Sequence, residues 1–383
     1  METINFDDIR PYFDAEIPYA MQKLAEDESL YSVFKYVFPK HSSEKIRNII
    51  LRIKTVKEMQ YRVMFPVVTK LMSNTATSMS CEGIEYLSKE KANLFISNHR
   101  DIVLDSGILQ IILVQNKFNT TGITFGDNLL LSEMIRIIAK SNKLFIAYRG
   151  SDMKEFWHHS TKLSHYIRHQ ITEMNQSVWI AQRNGRTKDG NDKTDQGVVK
   201  MFNMSSSGDF IKDFLELNIS PCAVSYEYEP CAFLKTFELY LTRRGSYKKQ
   251  KDEDLNSILT GLTENKGGIH FAFCKPLTEN ELTEADSYQK NDKYKFITHC
   301  IDERIHEKFK LWKNNYIAYD IVNKKGEYAQ YYSVDERDKF VNYMNKGLNN
   351  ILDEGFYGQK DFDVNELKEI FLDIYANPIK NKI

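Results

Sequence analysis

The chain has 383 residues, of which 42% are hydrophobic, and its formal charge at pH 7 is −1. This size and composition allow a full hydrophobic core in one large domain with appendages. A near-neutral charge excludes a global field that would recruit nucleic acid, so any attraction to phosphate must be local. The five cysteines are odd in number and lack C-x-x-C spacing, which favours reduced, mostly buried thiols in a cytoplasmic protein.

Residues 1–79 form the first predicted region, which consists of helices. The acidic N-terminus lacks the basic and apolar segments of a signal peptide, and no stretch of the chain approaches 18 consecutive apolar residues. Residues 59–72 are strongly apolar around Pro66. This pattern is typical either of an amphipathic element on a membrane surface or of a helix packed on the next domain.

Strands and helices alternate in residues 80–320, which indicates an α/β fold with a mainly parallel sheet flanked by helices. The predicted strands are 93–97, 120–125, 143–148, 176–181, 219–226 and 268–274, and the predicted helices include 105–115, 129–140, 152–173, 196–203 and 208–216. Residues 241–266 are polar and charged and predict an exposed insertion, and residues 321–383 predict a C-terminal helical tail.

The first candidate site is the corner where the strand 93–97 gives way to a helix. Asn98, His99, Arg100 and Asp101 follow this strand, and Asp105 lies about one helical turn further on. Strand ends of this kind carry the chemistry in many α/β sheets. Two interpretations stay open: a carboxylate partners a catalytic His99, or Asp101 is only a helix cap and His99 a loop residue.

Two further strand-end loops are rich in cations. Arg149 follows the strand 143–148, and Arg183, Gly185, Arg186 and Lys188 follow the strand 176–181. Guanidinium groups, with a glycine that lets the backbone come close, suit a phosphate on a small substrate or carrier. The alternative for the second loop is a solvated turn with incidental charges.

Several common catalytic motifs are missing from the sequence. It has no G-x-S-x-G elbow, no G-x-x-x-x-G-K-[ST] loop and no G-x-G-x-x-G after a strand. A serine-hydrolase elbow, a P-loop and a dinucleotide fingerprint are therefore excluded.

Taken together, the strand-end loops resemble the glycerolipid acyltransferases, the glycerol-3-phosphate and lysophosphatidate acyltransferases of phospholipid synthesis. Four blocks match in order over roughly residues 80–275. They are Asn98-His99 through Asp105, Phe145-Ile146 through Arg149, Gln182 through Lys188, and the Pro-containing strand 219–224. The helical N-terminus and residues 310–320 also resemble a bacterial branch of larger, soluble-looking members. The chain has five residues between His99 and Asp105, where the family usually has four, so Asp101 stays a second candidate partner.

The resemblance implies that His99 acts as general base, with Asp105 favoured over Asp101 as the group that orients it. It implies that Arg149 and Arg186, with Arg183 or Lys188 in reserve, hold the acceptor's phosphate. The donor would be an acyl thioester of acyl carrier protein or coenzyme A, and the acceptor glycerol-3-phosphate or lysophosphatidate. No cofactor, metal or nucleic acid is expected, and the protein should be cytoplasmic and peripheral on the inner membrane face.

Three other functions stay open from the sequence. The first keeps the chemistry but takes a lyso-aminolipid as acceptor. The second is a catalytically inactive membrane- or lipid-binding homologue, which the altered His–Asp spacing would fit. The third is a soluble enzyme with a phosphorylated ligand and no membrane role.

Overall fold

A computed structural model describes residues 4–356 and 361–383, and within them seven strands form one sheet. The strands are β1 (Ala76–Glu82), β2 (Leu94–Ser97), β3 (Gly122–Gly126), β4 (Leu144–Ala147), β5 (Val178–Ala181), β6 (Ile219–Tyr226) and β7 (Gly267–Phe273). Their order is β1-β7-β6-β2-β5-β3-β4, and all neighbours pair in parallel except β6 and β7, which are antiparallel. The predicted α/β fold with a mainly parallel sheet is confirmed.

Helices precede, flank and follow the sheet. They are α1 (Ile17–Leu24), α2 (Glu28–Val37), α3 (Ser43–Leu51), α4 (Val56–Met59), α5 (Phe65–Thr75), α6 (Leu104–Gln115), α7 (Glu133–Lys140), α8 (Met153–Thr172), α9 (Gln196–Phe202), α10 (Phe210–Leu217), α11 (Ala232–Arg243), α12 (Glu253–Thr263), α13 (Glu279–Ser287), α14 (Asp292–Lys308), α15 (Lys313–Asn323), α16 (Val334–Glu354) and α17 (Val364–Lys380). A π-helical turn, Gln60–Met64, joins α4 to α5. Among these residues no helix is long and apolar enough to cross a membrane.

The sheet is covered on both faces because alternate side chains of each strand point to opposite sides. In β2, Leu94 and Ile96 join a core cluster with α8, α9, α10 and α14, whereas Phe95 joins a second cluster with α5 and α6. All four residues of β2 are buried, as expected for a central strand of a parallel sheet. Because β2 to β6 run in the same direction, their carboxyl ends lie at one edge of the sheet.

The terminal helices have cores of their own. Helices α1 to α3 and the start of the α4–α5 segment share a cluster with Ile137 of α7. Helices α15, α16 and α17 pack on α11 in another cluster. Within residues 59–72, the side chains of Met59, Val63, Val68 and Leu71 are buried. This apolar segment therefore packs inside the protein, as in the second of its two alternatives; the domain boundaries at 79/80 and 320/321 stay predictions.

Two features differ from the sequence-based expectations. Strand β1 has no apolar alternation and is mostly exposed, because it lies at the edge of the sheet, where it pairs with β7. The segment 241–266 is not simply an exposed insertion, because α12 buries Glu253, Ser257 and Gly261 against the rest of the protein. Because these buried residues are not apolar, the pattern of hydrophobic residues did not indicate that this face of α12 is buried.

Candidate functional site

The loop that follows β2 carries the central pair of side chains. His99 Nδ1 lies 2.8 Å from Asp105 Oδ2. Asp105 stands in the first turn of α6, which begins at Leu104. A carboxylate can only accept, so Nδ1 carries the proton and Nε2 is left as the acceptor on the other side of the ring. The geometry pairs His99 with Asp105.

Asp105 is held by four donors. Its Oδ2 also accepts the backbone N–H groups of Arg100 (2.6 Å) and Asp101 (2.9 Å), and its Oδ1 accepts the hydroxyl of Tyr226 (2.6 Å). Burial opposes ionisation of this carboxyl, but the hydrogen bonds from His99, Tyr226 and the backbone outweigh burial and hold its pKa below the usual value. Asp105 is therefore a fixed, ionised acceptor for the imidazole.

Asp101 has a different structural role. Its Oδ1 accepts the N–H groups of Val103 (2.9 Å) and Leu104 (2.7 Å), which caps the start of α6. Its Oδ2 is buried and has no hydrogen-bond partner among the described residues. Burial, and then the negative charge of Asp105, raise the pKa of Asp101. The structure thus gives Asp101 the capping contact that the sequence left open.

Buried charges fix the residues on either side of His99. Arg100 donates to Asp192 Oδ2 (2.5 Å) and Glu229 Oε2 (3.1 Å), and Lys235 donates to Glu229 Oε1 (2.6 Å) and to the carbonyl of Arg100 (2.8 Å). These four side chains, Arg100, Asp192, Glu229 and Lys235, form what we term the buried charge network. Two cations and two anions balance each other there, which is how buried charges are tolerated.

Asn98 and Trp179 complete the support of the loop. The amide of Asn98 donates to the carbonyl of Val224 (2.9 Å) and accepts its N–H (2.8 Å), so it ties the end of β2 to β6. The indole of Trp179 donates to Ser97 Oγ (2.9 Å) and meets the His99 ring edge-on, with the centroids 5.5 Å apart. These contacts restrict where the imidazole can lie.

The sequence predicted no role for Tyr226, Trp179 or the buried charge network. Of that network, Arg100 alone lies in the predicted corner beside His99. The other partners lie 80 to 136 positions after His99 along the chain, from Trp179 to Lys235, so no local pattern links them to it.

The second cationic loop, which follows β5, packs directly on residues 98–103, the loop between β2 and α6 that we term the histidine loop. The N–H of Thr187 donates to the carbonyl of His99 (2.7 Å), and the N–H of Gln182 donates to the carbonyl of Ser97 (2.8 Å). On its other side this loop meets α17, where Asn377 donates to the carbonyl of Asp189 (2.7 Å). The C-terminal helix therefore helps to hold the loop against the site.

All the predicted cationic residues open onto the cavity that His99 lines, namely Arg149, Arg183, Arg186 and Lys188, together with Gly185. Within the described part of the chain, Arg149, Arg183 and Arg186 have no carboxylate partner, and Arg186 Nη1 is buried without a hydrogen bond. Lys188 differs, because it forms an ion pair with Glu238. Three unpaired guanidinium groups thus lie where an anion could meet them.

The cavity has a volume of about 1030 Å³, and most of its remaining lining is apolar. Helices contribute this lining, and the residues include Phe34 of α2, Val68 and Leu71 of α5, Ile111 of α6, Ile138 of α7 and Leu262 of α12. Pro66 lacks an N–H for a regular helical bond, and the wide π-turn just before it places Tyr61, Val63 and Met64 in the wall.

The structure brings together no group of three or more His, Cys, Asp or Glu residues that could hold a metal ion, as far as residues 4–356 and 361–383 are concerned. Asp105, the carboxyl beside His99, is committed to hydrogen bonds from His99, Tyr226 and two backbone N–H groups.

Comparisons with known proteins give a weak structural likeness. The sequence matches no protein-family model and no curated protein. Among solved structures, the chain is similar to the 1-acyl-sn-glycerophosphate (LPA) acyltransferase PlsC from Thermotoga maritima. The identity is 12%, the alignment covers 77% of this chain and 97% of that chain, and the TM-score is 0.36. A likeness of this degree does not assign a family or an activity.

Proposed function

We propose that the protein is an O-acyltransferase that moves a fatty acyl group from a thioester donor to a hydroxyl of glycerol-3-phosphate or lysophosphatidate. One observation carries the proposal: His99, paired with Asp105, lines a cavity with largely apolar walls that is also lined by three arginines without a carboxylate partner among the described residues. A base, an anion site and an apolar site are the three things that this reaction needs. The resemblance of the four sequence blocks supports the same function.

His99 supplies the proton transfer. With Nδ1 bound to Asp105, Nε2 takes the proton from the acceptor hydroxyl as its oxygen attacks the thioester carbonyl. Asp105 stabilises the imidazolium that forms. When the C–S bond breaks, the imidazolium returns the proton to the departing thiolate, so the products are an ester and a free thiol. The reaction requires no covalent acyl-enzyme, cofactor or metal.

The other groups bind the two substrates. Arg149, Arg183 and Arg186 hold the phosphate of the acceptor, since guanidinium groups match phosphate oxygens in geometry and charge. The apolar walls take the hydrocarbon chain, where each buried methylene contributes about 0.8 kcal/mol. Lys188 is already paired with Glu238 and is the least available of the four cations.

The test is a lipid-product assay with the purified chain and an acyl thioester. Glycerol-3-phosphate, lysophosphatidate and a lyso-aminolipid are offered as acceptors. We expect product with a phosphate-bearing acceptor, and we expect His99→Ala to lower turnover at least about 10²- to 10⁴-fold. His299→Ala, at an exposed histidine that does not line the cavity, is the matched control and should keep full activity.

Two results would contradict the proposal. Full activity of a folded His99→Ala protein would show that His99 is not the general base. Lack of product from every acceptor, with a wild-type protein that binds lysophosphatidate, would instead support a catalytically inactive lipid-binding protein.

A further inference from the structure

Tyr226 is the last residue of β6, and the sheet places its side chain beside the start of α6. The pairing of β2 with β6 ends at Ser97 and Cys222, so β6 continues past the end of its neighbour as far as Tyr226. On its other side Tyr226 is still paired, with Ile269 of β7. Cys222, Val224 and Tyr226 alternate onto the face of the sheet that packs on α5 and α6. A strand that β7 holds in place thus carries a hydroxyl to the histidine loop.

The two oxygens of Asp105 have different partners. Oδ2 accepts from His99 and from the N–H groups of Arg100 and Asp101. Among the described residues, Tyr226 alone donates to Oδ1, over a distance of 2.6 Å. Both side chains are buried, so solvent has little access to this hydrogen bond. Without the hydroxyl, Oδ1 would be a buried carboxylate oxygen without a donor, which is unfavourable.

The surroundings of Tyr226 keep its hydroxyl protonated. Burial, and then the negative charge of Asp105, raise the pKa of Tyr226 well above its usual value. The charges of Asp101 and Glu229 act in the same direction. Burial opposes ionisation of Asp105, and the hydrogen bonds from His99 and Tyr226 outweigh it and lower the pKa of this carboxyl. Tyr226 is therefore a permanent donor to a carboxylate that stays ionised.

From these contacts we infer that Tyr226 is a positioning residue of the proposed acyl transfer and acts on His99 through Asp105. The hydroxyl fixes the plane of the carboxylate so that Oδ2 faces the imidazole, and it takes up part of the negative charge. Because hydrogen bonds in one network polarise one another, the bond between Asp105 and His99 weakens as Tyr226 donates more strongly. The inference rests on the proposed function only for the reaction that His99 carries out.

The first experiment is proton NMR of the full chain. The Nδ1–H of His99, bound to a carboxylate, should give a low-field resonance that is identified by its loss in His99→Ala. Tyr226→Phe removes the hydroxyl and leaves more of the carboxylate's charge to His99, so we expect the resonance to move further downfield. A 3-fluorotyrosine in place of Tyr226 has a more acidic hydroxyl, donates more strongly, and should move the resonance upfield.

Enzyme kinetics give a second measurement. Tyr226→Phe should lower kcat about tenfold and leave the KM for glycerol-3-phosphate unchanged, because it changes the orientation of the base and not the groups that bind the acceptor. The matched control is Tyr166→Phe, at a buried tyrosine of α8 that belongs to the other core cluster and does not line the cavity. This control should keep the wild-type rate and the wild-type His99 resonance.

The NMR measurement separates this inference from the proposed function. An unchanged resonance in the proteins altered at position 226, or an equal shift in Tyr166→Phe, would overturn the role of Tyr226 even if product forms. Shifts in opposite directions without product from any acceptor would support the role of Tyr226 and contradict the acyl transfer. The 3-fluorotyrosine protein keeps both ring and hydroxyl, so its upfield shift tests the inference even if Tyr226→Phe does not fold.

Discussion

Asp101 and Asp105 are four positions apart and both buried, yet their surroundings push their pKa values in opposite directions. Asp105 accepts four hydrogen bonds, and its pKa is lowered from the usual 3.8. Asp101 has one oxygen without a hydrogen-bond partner among the described residues, and its pKa is raised. A carboxyl with a lowered pKa stabilises the fold above its unfolded pKa, and this stability is lost as pH falls through the folded value. A carboxyl with a raised pKa costs stability as pH rises through its folded value.

We therefore expect opposite effects from two matched substitutions. Asp105→Asn removes a charged acceptor and should lower the free energy of unfolding at pH 7 by about 1–3 kcal/mol. Asp101→Asn keeps an oxygen for the N–H groups of Val103 and Leu104 and removes the buried charge, so it should raise stability at pH 7 but not at pH 3. Urea denaturation at both pH values measures this. A loss of stability from both variants at pH 7 would show that Asp101 is needed as a charge.

At the residue scale, the residues of the candidate site could be recognised in the sequence, whereas the residues that hold them in place could not. His99 and the arginines could be predicted because each follows a buried strand and carries a group with obvious chemistry. The resemblance favoured Asp105 over Asp101 as the partner of His99, but the residues alone left both open, because the choice depends on where α6 begins and on the distant hydroxyl of Tyr226. A spacing count alone cannot supply either fact.

Among the elements, α17 meets the cationic loop at Gly190. This residue has a φ of +76°, and a Cβ placed on it would lie 2.1 Å from the carbonyl oxygen of Ile374. Gly185 in the same loop has the same φ, but a Cβ there would meet no atom of the described residues within 4 Å. Substitutions at the two glycines therefore distinguish the cost of backbone strain, which both would have, from the cost of a steric clash, which Gly190 alone of the two would have.

We expect Gly185→Ala to lower the free energy of unfolding by about 1–2 kcal/mol, which is the cost of placing an alanine in the left-handed conformation. Gly190→Ala should lose more, because α17 must also move away from the loop. Thermal denaturation of the two variants compares them directly. If both melt at the same temperature, the contact between α17 and the loop contributes nothing to stability.

Most of the elements between residues 93 and 274 could be predicted to within a few positions, since their apolar runs and alternation are strong. Strand β1 and the buried face of α12 could not. An edge strand can consist of polar residues when only one neighbour pairs with it, and α12 buries Gly261 against the carboxylate of Asp101. Both depend on tertiary neighbours rather than on local composition.

At the scale of the whole molecule, the cavity predicts how binding depends on the length of a ligand's hydrocarbon chain. Because its walls are largely apolar, lysophosphatidates with longer chains should stabilise the protein more, up to the length that fills the space. Melting temperatures measured with a chain-length series, below micelle-forming concentrations, should rise along the series. Glycerol-3-phosphate gives the contribution of the head group alone. A shift that is the same for all chain lengths would mean that the chain lies outside the cavity.

The buried charge network also limits how this protein can change over evolutionary time. Replacing Arg100, Asp192, Glu229 or Lys235 alone leaves a buried charge without a partner, which typically costs about 3–5 kcal/mol. A lineage would therefore tend to keep all four residues or to exchange partners in concert. When sequences related to this one are compared, position 100 should covary with 192 and 229, and 229 with 235, although these positions never adjoin along the chain. Such covariation would identify the loop that carries His99 in related proteins whose local sequence differs from that of this chain.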